Sequence, residues 1–276
     1  MTSAWTPGPA PRARFGQVFA RAVMVLGTAW PALAGLTVLL ALAPSLAVAA
    51  FLAPALARTT PAWADIVVRE LIWRVTHALF AAAVSGVALS RLAFEPRLDP
   101  GGILRSTLKA FPIAIAFGLA QHWVSLADAW LKGPVAVPSD RATLLAVVTV
   151  AGFITTTALM AWFALAVPAA VANRGGPGRA VAASLAAVRG FRWPILGAYL
   201  FVRLAETQAT VFMHLTLLSL FHPASGTPLA YLKASLAVLP SRVIDLAWIV
   251  FIAAAYYSQA ELQGRAQPQG IAEVFD

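Results

Sequence analysis

The 276 residues are 60% hydrophobic and 11% charged, whereas an ordinary soluble domain is ~25% charged, so eleven acids and twenty bases are too few to clothe a water-soluble core of this size. A formal net charge of +9 points to nucleic acid only in a soluble chain; here the bases are dispersed, no recognition motif accompanies them, and no nucleic-acid partner is expected. The lack of cysteine excludes disulfides, thiolate catalysis and cysteine-type metal centres.

In chain order, residues 1–14 carry Arg12 and Arg14 among prolines and read as a short cytoplasmic tail. The apolar stretch that follows is longer than the ~7 to 15 residues of a signal-peptide core. Six stretches then reach the ~20 helical residues that cross a ~30 Å hydrocarbon layer. They fall at about 30–56, 66–92, 112–131, 143–170, 194–221 and 229–258, inside a single transmembrane domain over 15–260, with 261–276 as a second cytoplasmic tail. The runs are too long and too alanine-rich for barrel strands, so the expected fold is all-α.

The chain repeats itself. Trp30-Pro31, Phe111-Pro112 and Trp193-Pro194 each open an apolar run and stand 81 and 82 residues apart, and each follows a basic amphipathic stretch. The physical logic is common to all three: a basic helix lies on anionic headgroups, the aromatic ring sits at the interface, and proline starts the helix that enters the bilayer. The expected architecture is a six-helix bundle of three helical hairpins, each preceded by an interfacial helix. Twelve Lys and Arg fall on the side of the amino terminus and at most six opposite, so both termini are placed in the cytoplasm and the protein in a cell inner membrane.

Charges at membrane depth cost ~2.5 to 3.5 kcal/mol each on insertion scales and should face the bundle interior with partners. Counted from the cytoplasmic end of each span, Arg74 and His77, Gln121 and Asp128, Arg203, Glu206 and His214, and Arg242 and Asp245 fall in one layer of the outer half. Arg203 with Asp245, Glu206 with Arg242, and Glu70 with Arg74 are the pairs anticipated. Pro240, beside Arg242, is a candidate kink. The layer reads as ion pairs that fix helix register, as a chamber for a solute or lipid head, or as a proton relay through His77, His214 and the carboxylates.

No catalytic constellation is present. The four histidines lack metal-binding spacing, and Gly175-Gly176-Pro177-Gly178 follows a span rather than a strand, so it reads as a turn before a surface helix. Thr155, Thr156 and Thr157 have no adjacent His and carboxylate and are expected to bond to their own helix backbone or across to a neighbour. No cofactor and no metal are expected.

The stretch from Trp162 to Ser184, continuing through Arg189-Gly190-Phe191-Arg192-Trp193-Pro194-Ile195-Leu196-Gly197, resembles a bacterial polytopic family. That family is the glycerophosphoryl diester phosphodiesterase membrane domain, close to the YciC-type inner-membrane proteins. Ala255-Tyr256-Tyr257 and the tail from Gly270 to Asp276 are similar as well. The resemblance implies a six-span inner-membrane protein. Its label comes from members fused to a soluble phosphodiesterase domain that has no counterpart in these residues, so it implies no hydrolase activity. Asn173 stands where such proteins commonly have glutamate, and Ser184 lacks the usual flanking bases.

The expected function is a non-enzymatic organising, envelope-related or partner-binding role. The alternative is a transporter or lipid-handling protein that uses the polar layer. Membrane lipids are the expected partners, with a membrane-protein partner or a homo-oligomer left open.

Overall fold

The structure is a computed structural model that describes residues 13–52, 62–93, 98–121, 123, 141–173, 176–220 and 228–263. Most of both tails, the end of the expected first span, and the end of the third span with Asp128 lie outside the described residues. The described chain is all-helical, with α1 at Phe15–Thr28, α2 at Trp30–Leu52, α3 at Ala62–Leu92 and α4 at Pro100–Gln121. Then come α5 at Arg141–Phe163, α6 at Ala166–Ala172, α7 at Pro177–Val188, α8 at Arg192–Leu220 and α9 at Pro228–Leu262.

Among the described residues five spans are long and apolar enough to cross a membrane, and a sixth is complete if α7 and α8 count as one bent span. The outward faces fit hydrocarbon. Val147, Val150 and Ile154 on α5, and Phe201, Leu204 and Phe212 on α8, are all exposed, which in water would be an aggregation hazard and in lipid is the normal solvent contact. The chain is a multi-pass membrane protein.

Proline explains most breaks. Pro168 has no N–H for the carbonyl of Ala164, and the expected fourth span accordingly divides into α5 and α6 at Ala164 and Leu165. In α2 the N–H of Ala43 bonds the carbonyl of Val38, five residues back, and two π-helical stretches, Val38–Leu42 and Val48–Leu52, flank Pro44. The third repeat unit turns as expected: Pro177 opens α7 just after Gly176, and α7 meets α8 at 96°. Phe191, 1% exposed, packs into that corner.

The second unit does not turn. Asp99 caps α4 by accepting from the backbone N–H groups of Gly101 at 3.0 Å and Gly102 at 2.7 Å, and the helix then runs unbroken through Phe111 and Pro112. The expected interfacial helix and third span are therefore one rod. α9 likewise continues through Pro240.

The end of the bundle that holds α1, the carboxyl end of α3 and the carboxyl end of α9, here the basal end, is tightly packed. α9 packs on α1, α8 and α3, while α3 packs also on α4 and α6. Small residues allow the approach: Ala253, Ala254 and Ala255 are fully buried, and a Cβ on Gly86 would lie 3.4 Å from Oγ of Ser106 on α4. Arg21 ties α1 to the end of α9, donating to Oγ of Ser258 at 2.8 Å and to Glu261 at 2.6 Å. Replacing Ala254 with Leu should overfill this contact and lower stability by about 1 to 3 kcal/mol, read as an earlier thermal transition in mild detergent. The lipid-facing Val243→Leu should leave the transition where it is.

Candidate functional site

Three helices bring polar side chains to one cavity away from the basal end. Glu70, Trp73, Arg74 and His77 recur at helical spacing on α3, Arg203 and Glu206 lie one turn apart on α8, and Ser241, Arg242 and Asp245 on α9. Arg74 is 18 residues before the end of α3 and Arg242 is 20 before the end of α9, about 27 and 30 Å along their axes. All of them except Glu70 line a chamber of ≈ 210 Å³. Of the anticipated layer, the chamber gathers Arg74, His77, Arg203, Glu206, Arg242 and Asp245. Gln121 and His214 lie on α4 and α8, but their side chains, like the whole of Asp128, are outside the described residues.

The pairing differs from that anticipated. Glu70 does bond Arg74, at 2.7 Å, but Arg203 bonds Glu206 at 2.5 Å and Arg242 bonds Asp245 at 3.1 Å, each within its own helix. The cross-helix pairs Arg203 with Asp245 and Glu206 with Arg242 do not form. The physical reason is local: an i, i+3 pair is already in reach once the helix exists, whereas a cross-helix pair needs tertiary alignment as well. Neither carboxylate therefore clamps one helix to another.

The clamp is aromatic instead. The Arg242 guanidinium stacks on the Trp73 ring, 3.3 Å from its centroid, and so joins α9 to α3, a contact worth about 2 kcal/mol when desolvated. On α8, Nε of Arg203 donates to Oη of Tyr199 at 3.2 Å, and Tyr199 packs against Trp248. His77 sits between Trp73 and Phe80, with ring centroids 5.9 and 6.4 Å away. Among the described residues the Nε–H groups of Arg74 and Arg242 are buried without an acceptor.

Two further cavities adjoin the chamber. One of ≈ 240 Å³ lies beside α2, lined by Pro44, Ser45 and Thr76, and shares Trp73 and Arg242 with it. Another, of ≈ 50 Å³, leads from His77, Arg203 and Asp245 toward the fully buried Ser85. Trp73 and Ser241 were not anticipated as lining residues. An indole under the guanidinium of another span is a signal only once the helices are aligned.

Of the threonine triplet, Thr155 bonds within its own helix, donating to the carbonyl of Ala151 at 2.8 Å, whereas Oγ1 of Thr157 is buried without a hydrogen-bond partner among the described residues. Asn173, at the end of α6, donates to Oη of Tyr256 at 3.0 Å, which joins two of the stretches that carry the family resemblance. Among the described residues no group of three or more His, Cys, Asp or Glu could hold a metal ion. No protein-family model matches the chain, and no curated protein or solved structure matches it either.

Exchanging charges within a helix should therefore be tolerated better than exchanging them between helices. Glu206→Arg alone should cost up to roughly 3 kcal/mol, the low end for breaking a fully buried pair, because this pair is only partly buried. Adding Arg203→Glu should recover more than half of that in a detergent unfolding titration, and adding Arg242→Glu should recover none.

Proposed function

We propose that this chain is a non-enzymatic six-span protein of the bacterial inner membrane, with both termini cytoplasmic, that handles a polar solute or a lipid head in its chamber. The observation that carries this reading is the chamber itself: ≈ 210 Å³ of space among three arginines and two acids at membrane depth. Charges retained only to fix helix register would pair across helices and close the space between them. These pair within helices and leave it open. A transporter or lipid-handling role is thus favoured over the organising role that the sequence first suggested.

One contact favours the organising role. The Arg242–Trp73 stack joins α3 to α9 and would serve a purely structural protein equally well. Three-hairpin architecture is supported by the packing of α2 on α3, α4 on α5 and α8 on α9. The distribution of bases supports placing the basal end in the cytoplasm. Membership of the glycerophosphoryl diester phosphodiesterase membrane-domain or YciC-type family rests on the motifs between Trp162 and Gly197.

A chain without cysteine suits a labelling test. Ser241→Cys, in the chamber wall, should react with a charged, membrane-impermeant thiol reagent added to intact spheroplasts. Gln263→Cys, at the basal end, should react only after lysis. A Ser241→Cys variant that stays unmodified would mean a sealed interior and would return the protein to the organising class.

A further inference from the structure

We propose that the chamber takes the head of a zwitterionic phospholipid bearing a primary amine, while one acyl chain lies in the apolar groove between α1, α8 and α9. This rests on the reading of the chamber as a binding site and names its ligand class.

Charge sets the first condition. Arg74, Arg203 and Arg242 are each matched by a carboxylate, Glu70, Glu206 and Asp245 respectively, so among the described residues the arginines of the chamber are balanced as they stand. In a medium of low dielectric, a ligand with net charge would leave that charge uncompensated. An apolar ligand fails for the opposite reason, because it would leave the buried Nε–H groups of Arg74 and Arg242 without acceptors. A zwitterion meets both conditions. Its oxyanion faces the guanidiniums, and its ammonium faces Glu206 and Asp245, whose carboxylates each accept one bond from an arginine of their own helix and have about four acceptor positions. A primary ammonium has N–H groups to donate there, and a quaternary one has none.

Size and route set the second. The chamber's ≈ 210 Å³ equals about seven water volumes at ~30 Å³ each, enough for a compact head and too little for an acyl chain. A larger groove of ≈ 690 Å³ is lined by apolar residues that include Pro194, Phe201, Val202, Ala205, Ile244 and Ala247. On α8, Val202 and Ala205 in the groove sit beside Arg203 and Glu206 in the chamber, and on α9 Ile244 precedes Asp245. From Pro194 to Ala205 the groove wall is about 17 Å long, close to half of the ~30 Å hydrocarbon core and hence to one leaflet. The groove runs from chamber level toward the basal end, so a lipid with its head in the chamber has the orientation of the leaflet opposite the basal face.

The test uses the full chain, purified in mild detergent and examined by native mass spectrometry with lipids of identical acyl chains. Phosphatidylethanolamine should be retained about tenfold or more over phosphatidylcholine and phosphatidylglycerol, a difference of the size one charge-assisted hydrogen bond provides. Glycerophosphoethanolamine, the same head without chains, should not be retained at equal concentration. Ala205→Trp, which fills the groove on its lipid side, should reduce phosphatidylethanolamine retention about tenfold with the thermal transition unchanged. Glu206→Gln should erase the preference for ethanolamine over choline.

Three results would overturn the proposal in different ways. Retention of phosphatidylglycerol above phosphatidylethanolamine would mean an anion site, and the chamber would still be a binding site. Glycerophosphoethanolamine bound as well as the lipid, with Ala205→Trp silent, would make a free solute the ligand and leave the groove without a role. No molecule retained beyond the level of an Arg242→Gln, Asp245→Asn double variant would sink both this proposal and the functional reading beneath it.

Discussion

A guanidinium in hydrocarbon has to be neutralised, and this chain does so inside each helix. α3, α8 and α9 each carry a buried or half-buried arginine with a carboxylate three or four residues away. At ~2.5 to 3.5 kcal/mol per isolated charge on insertion scales, an unpaired arginine would weigh heavily on a span that is only moderately apolar. Paired in advance, each span enters the bundle as a neutral unit. Assembly therefore has no need to bring opposite charges from different helices into contact, and space can remain where they converge.

That division of labour separates two regions of the bundle. Near the basal end, alanine and glycine let backbones approach while Leu89, Leu92, Ile249, Ile252 and Tyr257 fill the space between them, with α9 buried throughout Trp248–Ala260 and α1 held to it through Arg21. No hydrophobic drive joins helices within lipid, so close backbone approach and dispersion supply the adhesion. Around the chamber the contacts are fewer and directional: one arginine stacked on Trp73, one tyrosine hydroxyl on Arg203. The rigid basal packing fixes the angles at which three helices present their polar faces.

Much of this was legible from the residues. Long apolar runs define spans because the backbone must satisfy itself in lipid, and intramembrane charges stand out at one axial level because depth follows from a rise of 1.5 Å per residue. Rotation about each helix axis was not legible, since side-chain level says nothing about which neighbour a charge meets. Level and charge alone suggest the Arg203–Asp245 and Glu206–Arg242 pairs, and the nearer partner on the same helix prevails. Pro112 misled for a related reason. The Phe-Pro pair matches Trp30-Pro31 and Trp193-Pro194 in sequence, but α4 has already been capped at Asp99 and is a continuous rod when it reaches the proline. Where Trp193-Pro194 follows a turn at residues 189–191, the same chemistry starts a new helix.

The weakest wall of the polar region is the first span. Among its described side chains α2 buries a narrow stripe, Leu33, Thr37 and Ala41, one residue per turn, and its backbone is widened on both sides of Pro44. The hydroxyls of Thr37 and Ser45 are turned back on carbonyls of their own helix, at 2.8 and 2.7 Å, so they hold nothing on α3. Yet Pro44 and Ser45 line the side cavity that shares Trp73 and Arg242 with the chamber. Displacing α2 would therefore forfeit little packing and no ion pair, whereas displacing α8 or α9 would carry a paired charge out of the layer. Of the elements around the chamber, the first span is the one whose departure the rest of the bundle tolerates best.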